Sequence, residues 1–221
     1  MADFFPQALD EMNIPYDQKM IAQLERHVSE IELFNPVYKL VTGDIRVRHV
    51  LDSLSGYHEI RKIKGLCPSD SFTVADLGSG AGFPGIPLAI VMPDVHFTLV
   101  ERMGRRAGFL RNVIAATGLS GRVDLIESDI KEVKRKFNLV VMRAFHPLCN
   151  IASEASALLA AGGSILAWKT TEDYLDHELA ELEQKFPGRF SSSVTPVSVP
   201  GLDRPQKLCR LCLRQSVHIE S

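Results

Sequence analysis

A glycine-rich turn is the feature that most constrains how this chain can fold, and it lies in the sequence VADLGSGAGFPGIP at residues 74–87. Apolar residues at 72–77 predict a strand before the turn. Pro84 suits the first turn of a following helix, where its missing N–H costs no hydrogen bond, and Pro87 still falls among the early donors that lack intrahelical partners. Glycines let the backbone bend sharply and approach a ligand closely. In a doubly wound sheet, such a turn lies at the carboxyl ends of the strands, where ligands bind.

Strand and helix patterns alternate from residue 72 onwards. We predict strands at 72–77, 95–100, 123–126, 137–142, 164–168, 190–199 and 207–214. Helices are predicted from Pro84, through Leu110 and Ile114, at 147–160 with its end at Gly162-Gly163, and at 173–186. This alternation is typical of a mostly parallel sheet covered on both faces. The last two strands are joined too tightly for a parallel crossover, so we expect an antiparallel pair at one edge.

The first 65 or so residues lack this alternation and look helical. Apolar residues at helical spacing predict a helix over 16–34, ended by Asn35-Pro36, and a second short helix over 47–56. The chain has 221 residues, 45% of them hydrophobic, which suffices for one sizeable core. We therefore predict an α/β chain: a helical extension over 1–65, and over 66–221 a doubly wound, Rossmann-like domain with a mostly parallel seven-stranded sheet.

Charge and apolar pattern bear on partners and location. The formal net charge is −2, so RNA binding would have to come from local basic patches. No run of about 18 apolar residues is present, so we expect no transmembrane helix and no membrane partner. The start, MADFFPQALDEM, is acidic and broken by Pro6, unlike a secretory signal. These features favour a cytoplasmic protein.

Cys209 and Cys212 form a C-x-x-C pair, a spacing that also occurs in redox and zinc sites. The flanking residues 207–214 predict a strand, which would place positions three apart on opposite faces. The four cysteines are few for this length, which is typical of a reducing compartment. We favour strand packing over redox chemistry or zinc binding, and we expect no metal site.

Two cofactor classes compete for the glycine turn. Gly80, Gly82 and Gly85 satisfy the dinucleotide pattern G-x-G-x-x-G, which is weak by itself. Asp76 precedes the turn, and a carboxylate there would repel a pyrophosphate. It suits S-adenosyl-L-methionine, whose ammonium and sulfonium are positive. The D-x-G-x-G turn resembles motif I of class I methyltransferases, although an NAD(P)-dependent oxidoreductase stays open.

Acidic residues also follow the next two strands. Glu101 closes the second strand, where an acid in either cofactor class accepts hydrogen bonds from a ribose diol. It could instead cap the following helix, since acids are common at helix starts. Asp129 and Ile130 follow the third strand, at the turn where class I methyltransferases contact adenine. Asp129 could accept a bond from the exocyclic amine and Ile130 could pack on the ring, or the segment is a solvated turn and helix cap.

Five segments resemble one family of methyltransferases. They are RHVLDS at 48–53, GSGAGFPGIP at 78–87, RAF at 143–145, WK at 168–169 and VPGLDRPQKL at 199–208. They are similar to segments of the RsmG (GidB) enzymes, which methylate N7 of a guanine in bacterial small-subunit rRNA. The chain departs from the family at 35–42, where NPVYKLVT replaces an NLT segment. It also departs at Thr170, where the family has glycine, and at Gln206-Lys207, which replace an arginine.

The resemblance implies a set of site residues. By family position the cofactor contacts fall on Gly78, Phe83, Ile130, Lys131 and Arg143, and the wider methyltransferase class adds Asp76, Gly80, Glu101 and Asp129. The catalytic candidates, which would present the target base, are Arg48, His49, Arg143 and Lys169. Arg143 and Lys169 end two strands and should open onto the cofactor crevice. Arg48 could instead pair with Asp52 on a helix surface, and Arg143 could form a surface ion pair.

The implied chemistry is simple, because guanine N7 carries a lone pair and no proton. No general base is needed, and the enzyme aligns the reacting atoms and excludes water. The expected partner is 16S rRNA or the small ribosomal subunit, bound by a monomer through basic runs at 61–64, 102–111 and 131–136. Such runs are usually only solvated faces. Rival hypotheses are a methyltransferase acting on another RNA or a small molecule, the oxidoreductase, and a non-catalytic cofactor-sensing or RNA-binding module.

Overall fold

The computed structural model describes residues 4–67, 71–143, 147–169 and 172–214. The N-terminal part holds helices α1 (Phe4–Glu11) and α2 (Gln18–Tyr38), a π-helical segment (Arg46–Leu51), α3 (Asp52–Leu54) and α4 (Tyr57–Gly65). The other helices are α5 (Gly85–Val91), α6 (Gly104–Ala116), α7 (Leu148–Ala157) and α8 (Glu172–Lys185), with a 3-10 turn at Ile130–Glu132. Ala144, Phe145 and Thr170 of the family-like segments lie outside the described residues.

Seven strands form one sheet in the order β3-β2-β1-β4-β5-β7-β6. They are β1 (Thr73–Leu77), β2 (His96–Val100), β3 (Val123–Ile126), β4 (Phe137–Arg143), β5 (Leu159–Lys169), β6 (Phe190–Val197) and β7 (Gln206–Leu213). The strands β1 to β5 are parallel, and β7 runs antiparallel to both β5 and β6. The predicted doubly wound sheet with an antiparallel edge pair is confirmed.

Two predicted boundaries were wrong. Helix α2 continues past Asn35-Pro36, because a proline in the last turn removes only one helical hydrogen bond. The helix ends where Lys39 adopts a left-handed conformation with φ of 50°. Helix α7 stops at Ala157, well before Gly162-Gly163, because Leu159 already pairs with Phe137 of β4. The glycine pair lies inside β5, where the register between the two strands shifts.

Two apolar clusters cover the two faces of the sheet. One joins the N-terminal helices, α5 and α6 to one face, and it contains Leu24 and Val28 of α2 beside Ile86 and Leu99. The other joins α7 and α8 to the opposite face. The N-terminal helices therefore share a core with the sheet. The division into an extension over 1–65 and a domain over 66–221 stays a prediction.

A helix that crosses a lipid bilayer needs about 20 consecutive, mostly apolar residues. Within the described ranges, none of the helices is both long enough and apolar enough to cross it.

We expect Cys209 to be the slowest of the four cysteines to react with iodoacetamide at pH 8. Cys209 and Cys212 both lie on β7, but Cys209 is fully buried and burial raises the pKa of its thiol to about 12. The reagent attacks the thiolate, so reaction at Cys209 is disfavoured twice. Time-resolved labelling followed by peptide mass spectrometry measures this. Equal labelling of Cys209 and the partly exposed Cys212 would contradict the packing role.

Candidate active site

A cleft of about 590 Å³ lies at the carboxyl ends of β1 to β4. This is the edge of a doubly wound sheet at which ligands bind. Its lining is Gly78, Val100, Glu101, Arg102, Met103, Arg106, Ser128, Asp129, Ile130, Lys131, Arg143, Asn150, Ile151 and Glu154. The predicted cofactor residues in this lining are Gly78, Glu101, Asp129, Ile130, Lys131 and Arg143. Asp76, Gly80 and Phe83 are not part of it.

Asp76 supports the glycine turn from inside the protein. Its side chain is fully buried, and Oδ2 accepts a hydrogen bond from the Gly85 N–H at 3.0 Å. Burial raises the pKa of Asp76 to about 7, although the Gly85 N–H acts in the opposite direction. The carboxyl group thus joins the two ends of the turn. Its contact with a positively charged ligand stays a prediction.

Glu101 links the glycine turn to the start of α6. Its Oε2 accepts from the Gly80 N–H at 3.0 Å and its Oε1 accepts from the Met103 N–H at 2.9 Å, directly before the helix. Met103 is the N-cap residue itself, so Glu101 orders the approach to α6 but does not cap the first-turn N–H groups of the helix. Each carboxylate oxygen has a second lone pair, so Glu101 can still accept a bond from a ligand in the cleft. Ribose binding by Glu101 stays a prediction.

The turn after β3 forms the opposite wall of the cleft. Asp129 Oδ1 accepts from the Lys131 N–H at 3.1 Å and caps the 3-10 turn, as the alternative interpretation expected. Ile130 packs beside the apolar cluster that contains α7. The Lys131 Nζ lies 4.0 Å from Glu154 Oε1, which brings α7 to the same wall. Contact of Asp129 and Ile130 with adenine stays a prediction.

Arg143 joins the end of β4 to the π-helical segment. Its Nη1 donates to the Arg48 carbonyl at 3.0 Å and to Asp52 Oδ2 at 2.9 Å, and its Nη2 donates to His49 Nδ1 at 2.9 Å. The side chains of Arg143 and Asp52 are only 14% and 6% exposed. The guanidinium also lies over the Phe83 ring, 5.0 Å from its centroid. We call Arg143, Asp52 and His49 the arginine clasp; it is a mostly buried ion pair, not a surface one.

The Thr42 carbonyl and Arg143 together fix the tautomer of His49. The Thr42 carbonyl can only accept, so the Nε2 that lies 2.9 Å from it carries the proton, and Nδ1 accepts from Arg143. Burial lowers the pKa of His49, and the positive charge of Arg143 acts in the same direction. The ring stacks on Phe83 with centroids 5.3 Å apart. His49 therefore contacts the glycine turn through Phe83, which is one of its residues. The Arg48 side chain is exposed.

Lys169 is not brought to the cleft. It ends β5 on the opposite face of the sheet from Trp168, and its Nζ lies 2.6 Å from Glu178 Oε2 of α8. The same Glu178 oxygen accepts from the Leu148 N–H at 3.0 Å. Lys169 therefore joins β5, α8 and the start of α7. Its predicted contact with the target base stays a prediction.

Comparison with known proteins decides the family. A family model described as rRNA small subunit methyltransferase G matches residues 20–209. The chain belongs to this family. It is 34% identical over 191 residues to ribosomal RNA small subunit methyltransferase G of Stenotrophomonas maltophilia, covering 84% of each chain. It is 31% identical over 211 residues to the protein of that name from Laribacter hongkongensis, covering 93% of this chain and 95% of the relative.

A solved structure supports the fold of this rRNA small subunit methyltransferase G family member independently. The glycopeptide N-methyltransferase MtfA, complexed with S-adenosyl-L-methionine, matches with a TM-score of 0.55 at 15% identity. The match covers 72% of this chain and 88% of MtfA. The resemblance seen in the sequence is confirmed, and the oxidoreductase alternative is not favoured.

Sequence reasoning missed part of the cleft of this family member. The missed lining residues are Val100, Met103, Ser128, Asn150, Ile151 and Glu154, whereas Arg102 and Arg106 belong to the basic run at 102–111 that was expected to bind rRNA. Spacing could have indicated some of them, because residues four apart share a helix face. Asn150 and Glu154 are four residues apart in α7 and are an example. Gln206, which replaces the family's arginine, is buried, and its amide has no hydrogen-bond partner within the described ranges.

Proposed function

We propose that this chain transfers the methyl group of S-adenosyl-L-methionine to N7 of a guanine in 16S rRNA, with the rRNA or the small subunit as partner. The observation that carries the proposal is the cleft where the glycine turn, Glu101 and Asp129 meet, in a member of the rRNA small subunit methyltransferase G family. The relatives' name supports rRNA as the substrate. The same membership favours the cytoplasm as the location; a monomer and the absence of a metal stay predictions.

The cleft suits the cofactor in size and in chemistry. Its volume of about 590 Å³ lies in the range of small-molecule sites. Glu101 would hold the ribose diol, Asp129 and Ile130 would hold the adenine, and the turn at Gly78 would face the amino-acid end. Glu101 and Asp129 place carboxylate oxygens in the lining that can accept hydrogen bonds from the ribose diol and the adenine amine. The lining also contains Arg102, Arg106, Lys131 and Arg143, so its net charge does not by itself select the cofactor.

The proposed mechanism relies on alignment. S-adenosyl-L-methionine supplies a methyl group on a positively charged sulfur. The N7 lone pair would form the new N–CH3 bond as the S–CH3 bond breaks and the neutral thioether leaves, so none of the protein groups has to remove a proton. Charge moves from sulfur to the base and no new charge develops, so oxyanion-type stabilisation is not needed. The arginine clasp holds the His49 ring against Phe83 of the glycine turn, which helps to align the base and exclude water.

The deciding experiment is transfer of labelled methyl to small ribosomal subunits from cells that lack this protein. Nucleoside analysis then identifies the labelled base. Label in 7-methylguanosine is the expected result and supports cofactor, substrate and position together. Bound S-adenosyl-L-methionine without label in the subunit or in its naked rRNA would overturn the proposed substrate. Label in another nucleoside would overturn N7.

We expect Arg106→Glu to weaken binding to the small subunit about tenfold and to lower the salt dependence of that binding. Arg102 and Arg106 line the cleft and have no carboxylate partner in the described part of the chain. They are therefore available for rRNA phosphates. Filter binding at several salt concentrations measures the change.

Arg135→Glu is the matched control for this charge reversal. Arg135 precedes β4 at the opposite edge of the sheet and pairs with Asp124 at 2.6 Å. The other basic runs are partly engaged in the same way, since Arg61 and Lys64 both contact Asp94 at 2.7 Å. Equal loss of subunit affinity in the two variants would show that net charge matters and not the cleft.

A further inference from the structure

His27 is one of three buried polar residues of α2, together with Gln23 and Glu30. It is fully buried, and Leu24, Val28 and Ile31 around it on the helix are buried as well. Its Nε2 lies 2.8 Å from the carbonyl oxygen of Ala81, in the middle of the glycine turn. The ring also packs on Phe83, with centroids 5.0 Å apart. A polar ring at this position is explained by its contact with the turn and not by packing with its helix neighbours.

The hydrogen bond defines the state of the ring. A carbonyl only accepts, so Nε2 carries the proton and donates it to Ala81. Nδ1 has no partner in the described ranges, so a second proton there would be buried without an acceptor. Burial lowers the pKa of His27 to about 4, so the ring is neutral at physiological pH. His27 is thus a fixed, uncharged donor.

The other hydrogen bonds that hold the turn come from the sheet and its loops. Glu101 accepts from Gly80, Asp76 accepts from Gly85, and the Val100 carbonyl accepts from Gly78. Among the described residues of the N-terminal helices, His27 alone contributes a side-chain hydrogen bond to residues 78–87. A Cβ at Gly82 would lie 3.3 Å from its Nε2, so the ring closes on the turn directly.

We propose that His27 is a positioning residue for the cofactor, through which the N-terminal helices hold the glycine turn in its binding conformation. A turn that is ordered before the ligand arrives loses less conformational entropy on binding. The inference rests on the proposed function for the identity of the ligand, S-adenosyl-L-methionine. It assigns to the N-terminal helices a part in cofactor affinity.

Two substitutions test the N–H that His27 donates to Ala81, and their replacement side chains, methionine and glutamine, have nearly the same shape. His27→Met removes it, and His27→Gln keeps an N–H on a side chain of the same length. We expect the Kd for S-adenosyl-L-methionine, measured by calorimetry without RNA, to rise about tenfold in His27→Met. His27→Gln should restore most of the affinity. At saturating cofactor, kcat should stay within about twofold of the unsubstituted protein, because His27 does not touch the reacting atoms.

Gln23→Met is the matched control. Gln23 lies one turn earlier on α2 and donates to the Thr117 carbonyl at 2.5 Å, so its loss removes an equivalent buried bond that does not reach the turn. We expect it to lower Tm as much as His27→Met does and to leave the Kd unchanged. If His27→Met does not fold, His27→Phe, which keeps a ring against Phe83, is compared with His27→Gln instead.

The inference is overturned by an unchanged Kd in the variant without the donor, by equal weakening in Gln23→Met, or by no rescue in His27→Gln. Failure of the proposed function is a different result. In that case the unsubstituted protein binds S-adenosyl-L-methionine but methylates neither rRNA nor the subunit, and the comparison of the Kd values still decides the role of His27.

Discussion

Arg143→Met is expected to lower the free energy of unfolding by about 3–5 kcal/mol, as removal of one partner from a buried ion pair does. The Asp52 side chain is only 6% exposed, and Arg143 is the partner that neutralises its charge. Asp52 Oδ1 already lacks a hydrogen-bond partner among the described residues, so after the substitution both oxygens would be unpaired. Urea denaturation followed by circular dichroism measures the change.

The double variant Arg143→Met with Asp52→Asn separates the ion pair from the packing. Without a charge at position 52, the loss caused by Arg143→Met should shrink by about 2 kcal/mol, because no uncompensated charge stays buried. Arg135→Met is the surface control, since Arg135 and Asp124 are 47% and 44% exposed and such pairs contribute about 1 kcal/mol or less. Strict additivity of the two clasp substitutions would contradict this account of the arginine clasp.

Gly85→Ala is expected to cost about 3 kcal/mol of stability and to raise the Kd for S-adenosyl-L-methionine by more than tenfold. A Cβ at Gly85 would lie 2.5 Å from Leu99 Cδ2 and 2.7 Å from Asp76 Oδ2, much closer than real contacts allow. Overpacking of this kind costs typically about 1–3 kcal/mol. The Asp76 bond to the Gly85 N–H would have to lengthen, and the turn would move with it. Denaturation and calorimetry measure the two effects.

Gly108→Ala is the control for the same chemical change without the clash. Gly108 lies inside α6, and a Cβ there would meet no atom within 4 Å. Alanine in a helix interior is favoured over glycine by about 0.5–1 kcal/mol, so this variant should be slightly more stable and bind the cofactor normally. Normal cofactor affinity in Gly85→Ala would contradict the role assigned to the Asp76 contact.

The strands and the glycine turn could be predicted because their signals are local. Runs such as 72–77 are mostly apolar and end directly at a glycine turn, so the strand and its end follow from a few neighbours. The boundaries that were wrong depend on distant partners. Gly162-Gly163 looked like the end of a helix, but pairing of Leu159 with Phe137 made the pair part of β5. No local pattern carries that information.

Residue chemistry could be predicted better than residue geometry. Glu101 and Asp129 were assigned to a ligand or to a helix cap. The structure contains the Asp129 cap, whereas Glu101 accepts from Met103, the N-cap residue of α6 itself. The sequence pointed to Arg48, His49 and Arg143 through family segments about 90 residues apart. It offered no sign that the Arg143 guanidinium would lie between Asp52 and His49, or that His27 would reach Ala81.

The sequence by itself determined the fold class and the edge of the sheet where the cleft lies, because hydrophobic periodicity and turn chemistry are properties of short segments. The family followed from the resemblance of five short segments to known enzymes. The tertiary structure alone decided which side chains meet there. Register between strands and the packing of α2 and the π-helical segment against the sheet bring Arg143 to Asp52 and His27 to the glycine turn. They also place Lys169 on the other face, since side chains alternate along a strand. These contacts join residues far apart in the chain, so only the packed molecule defines them.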